Sequence, residues 1–224
     1  AQGDVLLRLS QPDLSNFPEV KLNVLSADNR GASLAESDLL RLTLRENGVP
    51  IPEAQVQFVP VGVDIIFVLD ADQSLNIIDE GRSVTRRETV QEMLARYASR
   101  FMNPSGLDRV SLLVPDGTGE AGQFLVQDTG SPDALVDASQ NYTADLPEDA
   151  PINAIMRQAI AHAAEIKEDG RYQAILLLSE ARRLPQFLDF ETLVAEAQAI
   201  ELPLFTAILG AEASFDEVDA AAAL

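Results

Sequence analysis

Residues Val63-Asp64-Ile65-Ile66-Phe67-Val68-Leu69 are apolar throughout except for one aspartate. A run this rich in Ile, Phe, Val and Leu reads as a strand buried on both faces, the situation of a strand inside a parallel sheet covered by helices. It ends in Asp70-Ala71-Asp72-Gln73-Ser74, which sets Asp70, Asp72 and Ser74 in a D-x-D-x-S spacing at the strand's carboxyl end. Open α/β sheets place their ligands at that edge. A buried strand also holds the following loop rigidly while its oxygen-bearing side chains converge. Oxygen-only sets of this kind suit hard cations such as Mg2+ or Ca2+. The plainer reading is that Asp and Ser after a strand form a turn or cap the next helix. Both readings rest on the same five residues.

The rest of the chain decides what surrounds that strand. Of 224 residues, 46% are hydrophobic and 23% charged. That is the composition of a folded globular protein, long enough for one full α/β domain and something smaller. Thirty-six acidic against sixteen basic residues leave a formal net charge of −20. This balance favours solubility and cation accumulation and opposes binding to phosphate backbones, so nucleic acid is not an expected partner. No apolar run approaches the roughly 20 residues needed to span a bilayer. The residues from Ala1 onward lack the basic-then-apolar order of a signal peptide, although a leader removed upstream would leave no trace. With no cysteine, disulfides, thiolate zinc sites and thiol nucleophiles are excluded and the redox compartment stays open.

Up to about residue 60 the apolar period is two. Val20, Leu22 and Val24 alternate with Glu19, Lys21 and Asn23, and Leu40, Leu42 and Leu44 alternate with Arg41, Thr43 and Arg45. These patterns predict half-buried antiparallel strands. Asn47-Gly48 signals a tight hairpin turn before Val49, and Val56-Gln57-Phe58-Val59 supplies another short strand. Residues 1–60 are therefore expected to form a small antiparallel β module, too short for a complete sandwich. Beyond it, strand and helix patterns alternate. Val90, Met93, Leu94, Tyr97 and Phe101 share a helical face, as do Ile152, Ile155, Met156, Ala159, Ile160 and Ala163, and Phe190, Leu193, Val194, Ala197 and Ile200. Between them lie strand-length apolar runs at 110–114, 123–126, 174–178 and 204–209. The order predicts an α/β domain over 61–224: a doubly wound, mostly parallel, Rossmann-like sheet with helices on both faces. No glycine fingerprint for a nucleotide follows any strand. The final Asp219 to Leu224 reads as a helix cut off or just beginning, and the chain is expected to be part of a longer polypeptide.

Phe67-Val68-Leu69-Asp70-Ala71-Asp72-Gln73-Ser74-Leu75 resembles the first motif of von Willebrand factor type A domains. In that family an apolar strand ends in D-x-S-x-S and opens the metal-ion-dependent adhesion site. The resemblance covers about residues 61–224. Two further loops complete the family's site: a Thr before a helix, matched here by Asp149-Ala150-Pro151-Ile152, and an Asp after a later strand, matched by Leu178-Ser179-Glu180-Ala181. Asp70 and Ser74 are kept, Asp72 replaces the middle Ser, Ala150 replaces the Thr, and Glu180 lengthens the Asp. The resemblance implies a degenerate site with Asp70, Asp72, Ser74 and Glu180 as ligands of Mg2+ or Ca2+, and Asp149, Ala150 and Ser179 on the partner-binding rim. A third carboxylate strengthens attraction for a cation and adds repulsion when none is bound. Without a cation, Asp70 and Ser74 are expected to cap the following turn, and Glu180 to face solvent or pair with Arg182 or Arg183. The first sixty residues are similar to the immunoglobulin-like segments that precede type A domains in some bacterial surface or secreted proteins. The implied function is a non-enzymatic binding or adhesion module, placed outside the cytoplasm, whose protein ligand offers an acidic group to the bound cation. A metal-independent structural scaffold remains an alternative.

An enzymatic rival starts from the same strand. D-x-D after an apolar strand also resembles the first motif of haloacid dehalogenase-like phosphatases, with Asp70 as nucleophile and Asp72 as general acid/base. The 174–179 run ends in Ser179, as that family's second motif does. The reading then lacks its lysine, since none follows Lys167. His162, the one histidine, sits mid-helix with no motif around it, and no nucleophile elbow supports a Ser-His-Asp hydrolase.

Overall fold

The apolar run 63–69 becomes the middle strand of a five-stranded sheet. The structure is a computed structural model that describes residues 5–9, 12–28, 43–51, 55, 57, 61–103, 106–142, 146–168, 171–180 and 189–209. The chain divides into two compact units, Ala1–Pro60 and Val61–Leu224.

In the second unit the elements run β5 (Val63–Leu69), a 3-10 turn (Gln73–Asn76), α1 (Arg86–Arg100), β6 (Arg109–Pro115), β7 (Gly122–Thr129), α2 (Pro132–Gln140), α3 (Ile152–Glu165), β8 (Tyr172–Ser179), α4 (Phe190–Ala199) and β9 (Leu204–Ile208). The strand order is β7-β6-β5-β8-β9, with β7 antiparallel to β6 and all other pairs parallel. This is the expected mostly parallel α/β sheet. Side chains alternate across it. Ile66 and Val68 join Ile155, Met156, Ala159, Ile175, Leu177 and Leu193 in one core, under α3 and α4. Phe67 and Leu69 join Val90, Leu94, Leu112, Leu135 and Leu178 in a second core, under α1 and α2. Fully burying each such side chain contributes about 1.5–3 kcal/mol, so a strand buried on both faces is firmly held.

Three helices occupy the expected stretches, but α1 stops at Arg100, and Phe101 caps its end 69% exposed, stacked on Tyr97, instead of joining the core face. The fourth, α2, falls in a stretch read as neither helix nor strand. Its start is locally encoded: Ser131 accepts a hydrogen bond from the Ala134 N–H, and Pro132 occupies the first turn.

In the first unit, β1 (Val5–Leu9) pairs antiparallel with β2 (Val24–Asp28), and β3 (Arg45–Glu46) with β4 (Val49–Pro50). Asn47 and Gly48 take φ of 49° and 82°, the two left-handed positions that an Asn-Gly hairpin turn demands. The strand predicted from Val20, Leu22 and Val24 is displaced: β2 begins at Val24, and Lys21 makes only an isolated bridge to Asp13. Leu40, Leu42, Val56, Phe58 and Val59, like the 219–224 stretch, lie outside the described residues.

Candidate functional site

β5 and β8 are parallel neighbours, with Leu69 opposite Leu178, so the residues that follow them emerge side by side. Asp70 donates its N–H to the Leu178 carbonyl at 2.9 Å, and the Ser179 hydroxyl donates to Asp70 Oδ2 at 2.6 Å. Ser179 is fully buried, and its carbonyl accepts from the Leu209 N–H at 2.7 Å after β9. Two residues beyond Asp70, Asp72 is also buried; it caps the 3-10 turn by accepting the Ser74 N–H at 2.8 Å. Capping of the turn therefore falls to Asp72, where Asp70 and Ser74 were the expected caps. The Ser74 hydroxyl oxygen is buried without a hydrogen-bond partner among the described residues.

The third loop meets the first through the backbone. Gln73 donates its N–H to the Pro147 carbonyl at 3.0 Å, which brings the 146–151 segment against the 3-10 turn. Asp149 and Ala150 precede α3, whose cap position is Pro151, a side chain with no acceptor, so the helix start carries no side-chain hydrogen bond. The topology thus gathers Asp70, Asp72, Ser74, Ser179, Glu180, Asp149 and Ala150 at one carboxyl edge.

Glu180 is held by a residue that the sequence pattern did not single out. Its carboxylate accepts from Arg86 Nη1, and the same guanidinium donates from Nε and Nη2 to Asp79 Oδ1 at 3.0 and 2.6 Å. Arg86 is 4% exposed, and the Glu180 side chain 8%. Neither Arg182 nor Arg183, the expected partners, lies within the described residues. Arg86 opens α1, where the helix dipole disfavours a positive charge. The two carboxylates offset that cost: the hydrogen bond with Asp79, ahead of the charges of Asp79 and Glu180, holds the guanidinium above its ordinary pKa despite its burial. The helix start itself is fixed by a capping box, in which Glu88 accepts the Thr85 N–H at 2.7 Å and Thr85 accepts the Glu88 N–H at 3.2 Å. That T-x-x-E signature is legible in Thr85-Arg86-Arg87-Glu88 and would have placed Arg86 at the helix start.

Set against the cation that the resemblance implies, this donor set does not fit as arranged. A cation cage needs several oxygens free to turn inward. Here an Asp70 oxygen accepts from Ser179, an Asp72 oxygen from the backbone, and Glu180 is tied to Arg86. Among the described residues, no three His, Asp or Glu side chains are grouped closely enough to hold a metal ion. Among the described residues of this set, the Ser74 hydroxyl is buried and unpartnered, the character of an unused ligand.

Other polar clusters read as structural. His162 is packed in α3, its Nε2 at 2.9 Å from Asp128 Oδ1 and its ring against Phe124. The Ser111 hydroxyl donates to Asp128 and not to His162, so the three do not form a catalytic relay. Lys167 follows α3 just before β8, at the opposite end of the sheet from Asp70, and donates to the Ile200 carbonyl at 2.7 Å. It is therefore out of reach of a phosphoryl group on Asp70. At that same amino end, Asp64 takes paired hydrogen bonds from Arg109 at 2.8 and 2.7 Å and from Arg171 at 3.1 and 2.5 Å.

No family profile matches the sequence, nor does any curated protein. Solved structures do match the fold. The SpRpn10 VWA domain aligns with a TM-score of 0.51 at 13% identity, over 72% of this chain and 82% of that one. A conserved hypothetical protein, BatB from Bacteroides thetaiotaomicron, aligns at 0.50 and 15% identity, over 68% of this chain and 73% of its own. Proximal thread matrix protein 1 from the mussel byssus aligns at 0.50 and 14% identity over 71% of this chain, which spans only 38% of that protein. At such identities the likeness is one of fold: a von Willebrand factor type A-like α/β architecture.

Proposed function

We propose that this von Willebrand factor type A-like chain is a non-enzymatic protein-interaction module that takes its partner at the carboxyl edge of the sheet. The observation that carries this reading is the convergence of three separate segments there: the loop after β5, the 146–151 loop joined to it by the Gln73–Pro147 hydrogen bond, and the exit of β8 bonded to Asp70. Open α/β sheets present ligands at this edge because loops from adjacent strands meet there on a rigid base. The rim also exposes apolar side chains, Ile77 at 39%, Ile78 at 55% and Val84 at 39%. Apolar groups beside a fixed polar cluster suit a macromolecular contact, with an apolar centre and a polar surround. The likeness to a VWA domain supports the reading at the level of fold. Against phosphatase chemistry stand the hydrogen-bonded state of Asp70 and the remote Lys167.

The test is site-specific photo-crosslinking in cells of the source organism. A photoreactive residue replaces exposed Gln73 at the proposed face, or exposed Glu168 at the opposite end as control. A discrete protein adduct from position 73 and none from position 168 is expected. Adducts from position 168 alone would overturn the assignment of the edge.

A further inference from the structure

The carboxyl edge carries a buried positive charge whose place in the chain is unusual. Arg86 stands at the first position of α1, against the dipole, and is 4% exposed. Its guanidinium spans two acidic residues from different loops: Asp79, after the 3-10 turn, and Glu180, after β8. The Arg86 N–H also donates to the Ile77 carbonyl at 3.0 Å, which fixes the 3-10 turn's exit to the same helix start. A planar guanidinium suits this bridging because it offers donors in fixed directions to more than one carboxylate and keeps its charge at all working pH values. A divalent cation that took the Glu180 oxygen held by Arg86 would leave the guanidinium buried with one partner fewer.

We propose that Arg86 serves as the resident cation of this edge, so that its loops are held together, and its partner recognised, without a divalent metal. Glu180 is central to the arrangement. Lying directly after Ser179, which bonds Asp70, it couples the guanidinium to the loop after β5 through two consecutive residues of one strand end. The partner-side half of the proposal rests on the reading of this edge as the binding face; the role of Arg86 does not, and is tested on the chain alone. Arg86 acts here as a positioning residue.

The experiment combines Mn2+ titration by electron paramagnetic resonance with thermal unfolding in chelator and in millimolar Mg2+, on the wild type, Asp70→Ala, Arg86→Met, Arg86→Lys and Glu180→Gln. The wild type is expected to take up no saturable Mn2+ at millimolar concentration and to unfold at the same temperature in chelator and in Mg2+. Arg86→Met is expected to unfold at least about 6 °C lower, with Arg86→Lys recovering part of the loss. Glu180→Gln lowers it too, and the double variant with Arg86→Met loses less than the sum of the two. Should Arg86→Met fail to fold, Arg86→Lys and Glu180→Gln carry the comparison. Stoichiometric Mn2+ binding by the wild type that Asp70→Ala abolishes would overturn the proposal, as would unchanged unfolding in Arg86→Met. Partner adducts from position 73 that vanish in chelator would overturn cation independence and leave the binding edge standing; adducts only from position 168 would do the reverse.

Discussion

At the scale of a single residue, Asp64 combines a large electrostatic cost with its compensation. It is 2% exposed and sits between Arg109 and Arg171 at the start of β5. Burial works against its charge, but the hydrogen bonds from Arg109 and then Arg171 outweigh it and hold the carboxyl below its ordinary range. A depressed carboxylate stabilises the fold above its unfolded pKa, about 3.9, and that contribution is lost as pH falls through the lower folded value. Asp64→Asn is therefore expected to cost about 3 kcal/mol in urea unfolding at neutral pH, with the difference from wild type shrinking below about pH 4. A difference that persists unchanged into acid would show that packing, not charge, is at stake. Two residues earlier, Gly62 allows a close backbone approach: a Cβ there would lie 1.8 Å from the Leu107 carbonyl oxygen. Gly62→Ala is expected to unfold at markedly lower denaturant, by more than the roughly 1 kcal/mol of an ordinary strand substitution. The value of Asp64 was not legible in the sequence, where it reads as a lone interruption of an apolar run, because its two arginines come from β6 and from the turn before β8.

At the scale of elements, legibility followed burial. β5, β6 and β8 stood out because a continuous apolar run of that length fits a strand covered on both faces and little else, and α3 because its apolar stripe is wide. The helix α2 did not, since only Leu135 and Ser139 of its nine residues are buried and its signal lies in the Ser131-Pro132 start. The direction of β7 follows from the short hairpin 116–121, with Gly117 and Gly119 at positive φ, a link too short for a parallel crossover. At the candidate site, the D-x-D-x-S loop and the β8 exit were readable, whereas the Arg86 bridge was not, since it joins residues 94 positions apart. The capping box of α1 bears on that bridge. Thr85→Ala is expected to lower stability by about 1 kcal/mol. Because Arg86 is the next residue, hydrogen exchange at the 73–79 segment should rise in the same variant. Loss of stability with unaltered exchange at that segment would separate the helix start from the edge.

For the molecule as a whole, the two cores on either face of one sheet belong entirely to Val61–Leu224. A chain of residues 61–224 is accordingly expected to fold alone, with a single cooperative unfolding transition by circular dichroism; a non-cooperative melt would contradict this. The net charge of −20 opposes compaction through self-repulsion. Raising salt from about 10 mM to a few hundred mM, where the screening length drops well below protein dimensions, is expected to raise the unfolding temperature. A fall would mean that the ion pairs around Asp64 and Arg86 outweigh the global repulsion. Fold class and the location of the edge were thus visible from apolar patterning, while the edge's chemistry depended on contacts between distant residues.

The proposed partner-binding edge, with Arg86 in the place of a metal, can be tested as one unit. The most direct measurement is the yield of the partner adduct from a photoreactive residue at position 73, compared in chelator and in millimolar Mg2+, with position 168 as control. Equal yields from position 73 under both conditions, and none from position 168, are the predicted result. A yield that depends on Mg2+, or adducts confined to position 168, would contradict it.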